Sequence, residues 1–214
     1  NQAMSVIEYF YSAHSGYAYI GSKLLSEVAA NAGARLDHRP MDLRRVVAVT
    51  GPGPTNGRTP ERRAYFSGRE IERWAEARGL EIITGRMPTY HENDIGLPNG
   101  MLIAGLLERV DVDALAHRML EAHWREDADL SDAGTLSRLG GEVGVNAGLL
   151  LAAASSPEVR AIYEANTAEA IERSVFGSPT YFVGGDMFYG QDHLELVELA
   201  LDTPFSGQWP RPAA

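Results

Sequence analysis

The 214-residue chain contains no cysteine. Disulfide frameworks, thiolate metal sites and dithiol redox chemistry carried by the chain itself are therefore excluded. It also lacks any run near the roughly 18 unbroken apolar residues of a membrane span, so no membrane partner is expected. Basic side chains are in short supply: 19 stand against 29 acidic ones, for a net charge of -10 and a pI near 5.1. A general binder of phosphate backbones carries the opposite balance, so nucleic acid is not expected as a partner either. The start, Asn1-Gln2-Ala3-Met4, has neither the basic stretch nor the apolar core of a secretory signal. Met4 is taken as the natural start, and a cytoplasmic location is expected. What remains is ordinary for a globular chain, with 44% hydrophobic and 22% charged residues. Its length suits one domain with a sizeable insertion.

The patterning is mixed. Val6 to Phe10 reads as a strand that ends in the polar turn Tyr11-Ser12-Ala13-His14-Ser15-Gly16. From Tyr17 the apolar spacing turns helical, through Ile20, Leu24, Leu25 and Val28, until Gly33. Leu36 to Met41 reads as a second strand. The stretch Gly51-Pro52-Gly53-Pro54-Thr55-Asn56-Gly57 is a loop, not a phosphate cradle, because its prolines have no N–H to offer and no Lys-Ser/Thr follows. Thr59-Pro60-Glu61 has the form of a helix start. Residues 60–174 then read as all-helical. Thr180 to Val183 and Met187 to Tyr189 make a hairpin around Gly184-Gly185-Asp186, and Gln191 to Leu201 a last helix. The order β-α-β, helices, β-β-α predicts an α/β thioredoxin-like fold. Residues 1–50 and 175–214 would form the thioredoxin-like domain, and 51–174 a helical insertion.

Two places could carry chemistry. Ser15 stands at the start of the first helix, where unpaired N–H groups favour an anion such as a ligand's thiolate. Capping alone, the commonest role of a serine before a helix, is the reading that the local sequence favours. The second is Val175-Phe176-Gly177-Ser178-Pro179-Thr180, before a strand. A cis Pro179 would present the Ser178 backbone to an extended peptide, whereas a trans proline would merely open an edge strand. From Arg39 to Arg78 nine arginines face five acids, a local excess that suits anionic ligands. About half of these arginines are expected to pair with nearby Glu61, Glu70 and Glu72. His14 reads as a solvated turn histidine, and His117, Glu121 and His123 as surface rather than a metal site.

The turn Ser15-Gly16-Tyr17-Ala18-Tyr19, the segment Val175 to Thr180, the run Met187-Phe188-Tyr189-Gly190-Gln191-Asp192 and the helix Arg62-Arg63-Ala64-Tyr65 to Arg73-Trp74-Ala75 together form a recognisable set. The chain resembles the kappa-class glutathione transferase and 2-hydroxychromene-2-carboxylate isomerase family, within the DsbA-like thioredoxin group. It departs from that family's pattern at Gly16, expected to loosen the turn, and at Ala18, Ser12 and His14. The resemblance implies glutathione as cofactor, with Ser15 at its sulfur and the Ser178 backbone, before a cis Pro179, at its cysteinyl part. It further implies Gln191 and Asp192 at the γ-glutamyl end, Asn56 on the tripeptide and Arg62 near the glycine carboxylate. The implied activity is glutathione-dependent cis-trans isomerisation of an unsaturated aromatic 2-oxo acid by a homodimer. A kappa-class transferase and a non-catalytic scaffold that binds peptides or partner proteins are the other readings. Tyr65, Trp74, Tyr90 and Trp124 are candidates for shaping the substrate pocket.

Overall fold

The computed structural model describes residues 3–52 and 58–214. Strand β1 (Val6–Tyr11) lies at the centre of a four-stranded sheet of order β2-β1-β3-β4. It runs parallel to β2 (Arg35–Pro40) and antiparallel to β3 (Thr180–Val183), which pairs antiparallel with β4 (Asp186–Tyr189). The period-2 rule sorts β1 cleanly. Ile7, Tyr9 and Tyr11 face one hydrophobic cluster, and Phe10 faces another with Phe182, Met41 and Val46. The β3–β4 turn needs Gly184 and Gly185, whose φ values are 57° and 86°. The thioredoxin-like α/β expectation holds.

Helix α1 (Gly16–Ala32) fills the β1–β2 crossover, capped by Ser15 and stopped by Gly33 at φ 63°. Helix α2 (Leu43–Thr50) follows β2, capped by Asp42; no sequence signal pointed to it, because Leu43, Val46 and Val47 are its only clear apolar face beside two arginines. Thr59 caps α3 (Pro60–Ala64) as expected. A π-helical segment, Tyr65–Glu70, joins α3 to α4 (Ile71–Arg78). The all-helical reading of 60–174 is then corrected in one stretch: residues 79–95 carry no helix. The segment is held instead by long-range polar contacts. Tyr19 donates to the Glu81 carbonyl at 2.8 Å, and Ile83 N–H to the Trp124 carbonyl at 2.8 Å.

Helices α5 (Gly96–Leu107), α6 (Val112–Glu126), α7 (Ala133–Glu142), α8 (Ala147–Ala153) and α9 (Pro157–Glu172) complete the helical block. Its apolar faces join one cluster with the sheet, from Ile7 and Tyr181 to Leu102, Leu115 and Leu136. The final helix is shorter than expected: Gln191–His193 is a 3-10 turn that leads into α10 (Leu194–Asp202). No helix of the described residues is long and apolar enough to cross a membrane.

Candidate functional site

Ser15 sits at the mouth of α1, 5% exposed. Its Oγ accepts from the Ala18 N–H at 3.2 Å, and its own hydrogen has no acceptor among the described residues. Capping and chemistry are thus compatible in one side chain. The oxygen closes the helix end while the O–H stays available to a ligand.

Gly16 does not loosen the turn. A Cβ there would stand 2.6 Å from Ile71 Cδ1 and 2.7 Å from Trp124 Cζ2. The indole fills that space and is pinned by Nε1 donating to the His14 carbonyl at 2.8 Å. Tyr17, next along, is not free for a ligand, because its hydroxyl donates to the Phe66 carbonyl of the π segment.

Ser15 opens onto a cavity of ≈ 350 Å³ shared with Tyr17, Arg58, Arg62, Phe176, Ser178 and Tyr189. The Ser178–Pro179 bond is cis. Two polar atoms in this wall are buried without a partner among the described residues: Ser178 Oγ and Arg58 Nε. Buried polar atoms are costly to leave unpaired, so both remain open to hydrogen-bond partners. Burial and then the nearby Arg62 charge pull the Arg58 pKa down.

A second cavity of ≈ 610 Å³ adjoins the first across His14, Leu43, Val47, Ile71, Met87 and His91. Arg44, Arg58, Arg63, Arg69 and Arg86 line it against only Glu72 and Glu92. Arg62 and its neighbour Arg63 therefore divide between the two cavities. The basic surplus of the segment is sorted by the fold. Arg39 is consumed by Asp37, Glu8 and Glu169, and Arg45 by Glu164 at 2.6 Å. Among the described residues the expected pairs with Glu61, Glu70 and Glu72 do not form, and Glu72 instead accepts from the Gly85 N–H at 3.3 Å.

Gln191 is 1% exposed and lies outside the lining of either cavity, its side-chain carbonyl taken by Arg78 at 2.7 and 3.2 Å. Asp192 is half-exposed beyond Tyr17 and Tyr189. Burial chiefly, with the Asp192 charge among the other causes, raises both phenols. Asn56 falls outside the described residues. Of the aromatic candidates, Trp124 lines the Ser15 cavity, Trp74 packs on the core under Arg78, and Tyr65 and Tyr90 are exposed.

The histidines require correction. His14 is buried, not solvated, and its Nδ1 lies 2.7 Å from Ser12 Oγ. His123 is 1% exposed, not surface, and its Nε2 lies 3.0 Å from His91 Nδ1. His117 is partly buried and contacts Ser22 Oγ at 3.1 Å. His91, in the wall of both cavities, was missed altogether, since an isolated histidine in a loop carries no periodic signal. Burial first, then neighbouring positive groups, lowers the pKa of His14 and of His91, the latter to about 3. Burial lowers that of His123 as well.

Comparison with known proteins places this geometry in context. The family described as DSBA-like thioredoxin domain matches residues 6–202. A 2-hydroxychromene-2-carboxylate isomerase of Pseudomonas putida is 26% identical over 201 residues, which cover 92% of this chain and 94% of that protein. Its namesake from Pseudomonas sp. (strain C18) is 27% identical over 206 residues, covering 95% and 93%. A solved 2-hydroxychromene-2-carboxylate isomerase superposes with a TM-score of 0.75 at 24% identity, over 92% of this chain and 94% of that one. A match of that extent, on a mixed sheet of this strand order, makes the chain a member of the DSBA-like thioredoxin domain family.

Proposed function

We propose that the chain is a glutathione-dependent cis-trans isomerase of an unsaturated aromatic 2-oxo acid, acting like a 2-hydroxychromene-2-carboxylate isomerase. The observation that carries this reading is Ser15 at the head of α1. Its O–H has no acceptor among the described residues, and it faces a cavity that opens into a second one lined by arginines and apolar side chains. Relatives named for that isomerisation, matched over more than nine-tenths of the chain, support it.

The residues present fit glutathione. A cavity of ≈ 350 Å³ is of ligand size, and Ser178 Oγ and Arg58 Nε are buried donors in search of partners. When bound, glutathione supplies a thiolate that adds reversibly to the substrate's double bond, so that rotation can occur about a single bond. Ser15 and the first turn of α1 would hold the sulfur as its anion. Lowering a thiol pKa by two units asks for roughly 2.7 kcal/mol. A hydrogen bond to a charged group contributes about 1.5–3 kcal/mol and a helix N-terminus about 0.3–1 kcal/mol, so the two suffice together. Arg62 would face the glycine carboxylate, the Ser178 backbone the cysteinyl unit, and Asp192 the γ-glutamyl ammonium.

The second cavity would take the electrophile. Leu43, Val47, Ile71, Ile83 and Met87 offer the aromatic ring an apolar wall, and Arg63 and Arg69 offer its carboxylate a counter-charge. Calorimetric titration of glutathione into the wild type and the Asp192→Ala variant tests the cofactor half of the reading. Measurable heat for the wild type and a several-fold weaker Kd for the variant are expected. No heat at millimolar glutathione would mean that the Ser15 cavity does not take glutathione.

A further inference from the structure

Helix α9 ends in a corner that leads straight into the wall of the Ser15 cavity. Arg173 closes the helix, its N–H donating to the Glu169 carbonyl at 2.9 Å, and Ser174 then turns the chain at φ 63°. That is left-handed backbone, disfavoured for a residue with a side chain and open to glycine. Ser178, which lines the cavity, follows shortly after.

The corner is held from several sides. The Ser174 N–H reaches the Ile171 carbonyl at 3.1 Å, and Val175, fully buried, donates its N–H to the Ala170 carbonyl at 2.8 Å. The carbonyls of both neighbours of Ser174 receive side-chain donors. The Thr50 hydroxyl, at the end of α2, meets the Val175 carbonyl, and the Trp209 indole N–H lies 3.4 Å from the Arg173 carbonyl. The Arg173 side chain is fixed as well. Its guanidinium stands 3.8 Å from the centre of the Phe182 ring and donates to the two Glu8 carboxylate oxygens at 2.7 and 3.1 Å.

Trp209 comes from the far end of the chain. It lies in the irregular tail after α10, beyond the family-matched residues 6–202. Its partly buried ring packs on the second hydrophobic cluster, the one that holds Ala170 and Val175 on either side of the corner together with Phe10 and Phe182. Beyond the corner the chain has little slack. A Cβ on Gly177 would stand 2.7 Å from Tyr189 Cε2, and the Gly177 carbonyl accepts from the Thr180 hydroxyl at 2.9 Å. A change in the Ser174 turn is therefore passed on to Phe176 and Ser178.

We infer that Trp209 is a positioning residue for the Ser15 cavity. By holding the Arg173 carbonyl and covering the cluster under the corner, the C-terminal tail keeps Ser174 in its left-handed turn. That turn sets the direction in which the chain presents the Ser178 backbone to a ligand. The inference rests on the reading of that backbone as the partner of glutathione's cysteinyl unit. Trp209 itself touches no ligand, since it lies outside the lining of both cavities.

The test pairs glutathione calorimetry with hydrogen exchange of the amides of residues 175–178, on the full chain and its variants. Trp209→Ala should weaken the glutathione Kd about tenfold and speed exchange in that segment, because a disfavoured turn has lost its brace. Trp209→Phe keeps a ring on the cluster without the N–H and should lose about threefold. Adding Ser174→Gly to either variant should restore most of the affinity and the protection, since glycine takes the left-handed turn unaided. A tryptophan that served the core alone would not be rescued at position 174. An unchanged Kd in Trp209→Ala, or a loss that Ser174→Gly fails to repair, would overturn the inference. Should Trp209→Ala not fold, Trp209→Phe with and without Ser174→Gly makes the same comparison. A wild type that binds no glutathione would count against the proposed cofactor, and exchange then decides: faster exchange reversed by Ser174→Gly sustains the role of Trp209, and unaltered exchange refutes it.

Discussion

At position 16 a missing side chain makes room for an indole. Trp124 reaches across from α6 to occupy the place of a Cβ, and its N–H holds the backbone carbonyl of the residue before Ser15. Gly16→Ala should therefore cost about 1–3 kcal/mol of stability, because Ile71 and Trp124 must both give way. Urea unfolding followed by tryptophan fluorescence would measure it, and a variant as stable as the wild type would mean that the turn is slack after all. Ser15 itself was visible in the sequence as a residue between a strand and a helix, but only its neighbours decide its state. One Oγ accepting from Ala18 while its hydrogen remains unclaimed is a fact of geometry that spacing does not carry. The same holds for His14, whose burial depends on Asn99, 85 positions away, through Ser12.

Among the elements, the segment from Pro60 to Arg78 shapes both cavities because its middle turn is wide. Residues 65–70 adopt π geometry, and the Phe66 carbonyl takes the Tyr17 hydroxyl while the two rings lie 4.7 Å apart. Tyr17→Phe keeps the ring contact and removes the bond. Amides of residues 65–70 should then exchange faster with solvent and global stability should fall by about 1 kcal/mol. Unaltered exchange would show that the π segment holds its shape without Tyr17. Strands and capped helices were legible, since Thr59-Pro60, Gly33 and Gly184-Gly185 are local signals with local causes. Helix α2 and the 79–95 segment were not. The former is too short and arginine-rich to display a face, and the latter is held by contacts to Tyr19, Trp124, Asp127 and Arg44 that lie far off in sequence.

For the molecule as a whole, buried neutral histidines make stability depend on pH. The folded pKa of His14, His91 and His123 is lowered, whereas in the unfolded chain each titrates near its ordinary 6.5. The unfolded state therefore binds more protons below pH 6.5, and folding stability falls as the pH drops, for His91 down to about 3. Each imidazole that stays neutral takes away about 1.4 kcal/mol per pH unit in that window. Urea unfolding free energy should be lower at pH 5 than at pH 7, and His91→Gln should shrink the difference by roughly 2 kcal/mol. Equal stability at the two pH values would mean that these rings are protonated in the fold.

The proposed isomerisation turns on one serine. Purified protein is incubated with an unsaturated aromatic 2-oxo acid, with and without glutathione, and the cis and trans forms and the free thiol are followed together. Interconversion that requires glutathione, returns all of it, and falls at least about a hundredfold in Ser15→Ala is the predicted result. Interconversion at the same rate without glutathione, or in the Ser15→Ala variant, would contradict it, as would glutathione consumed into a conjugate.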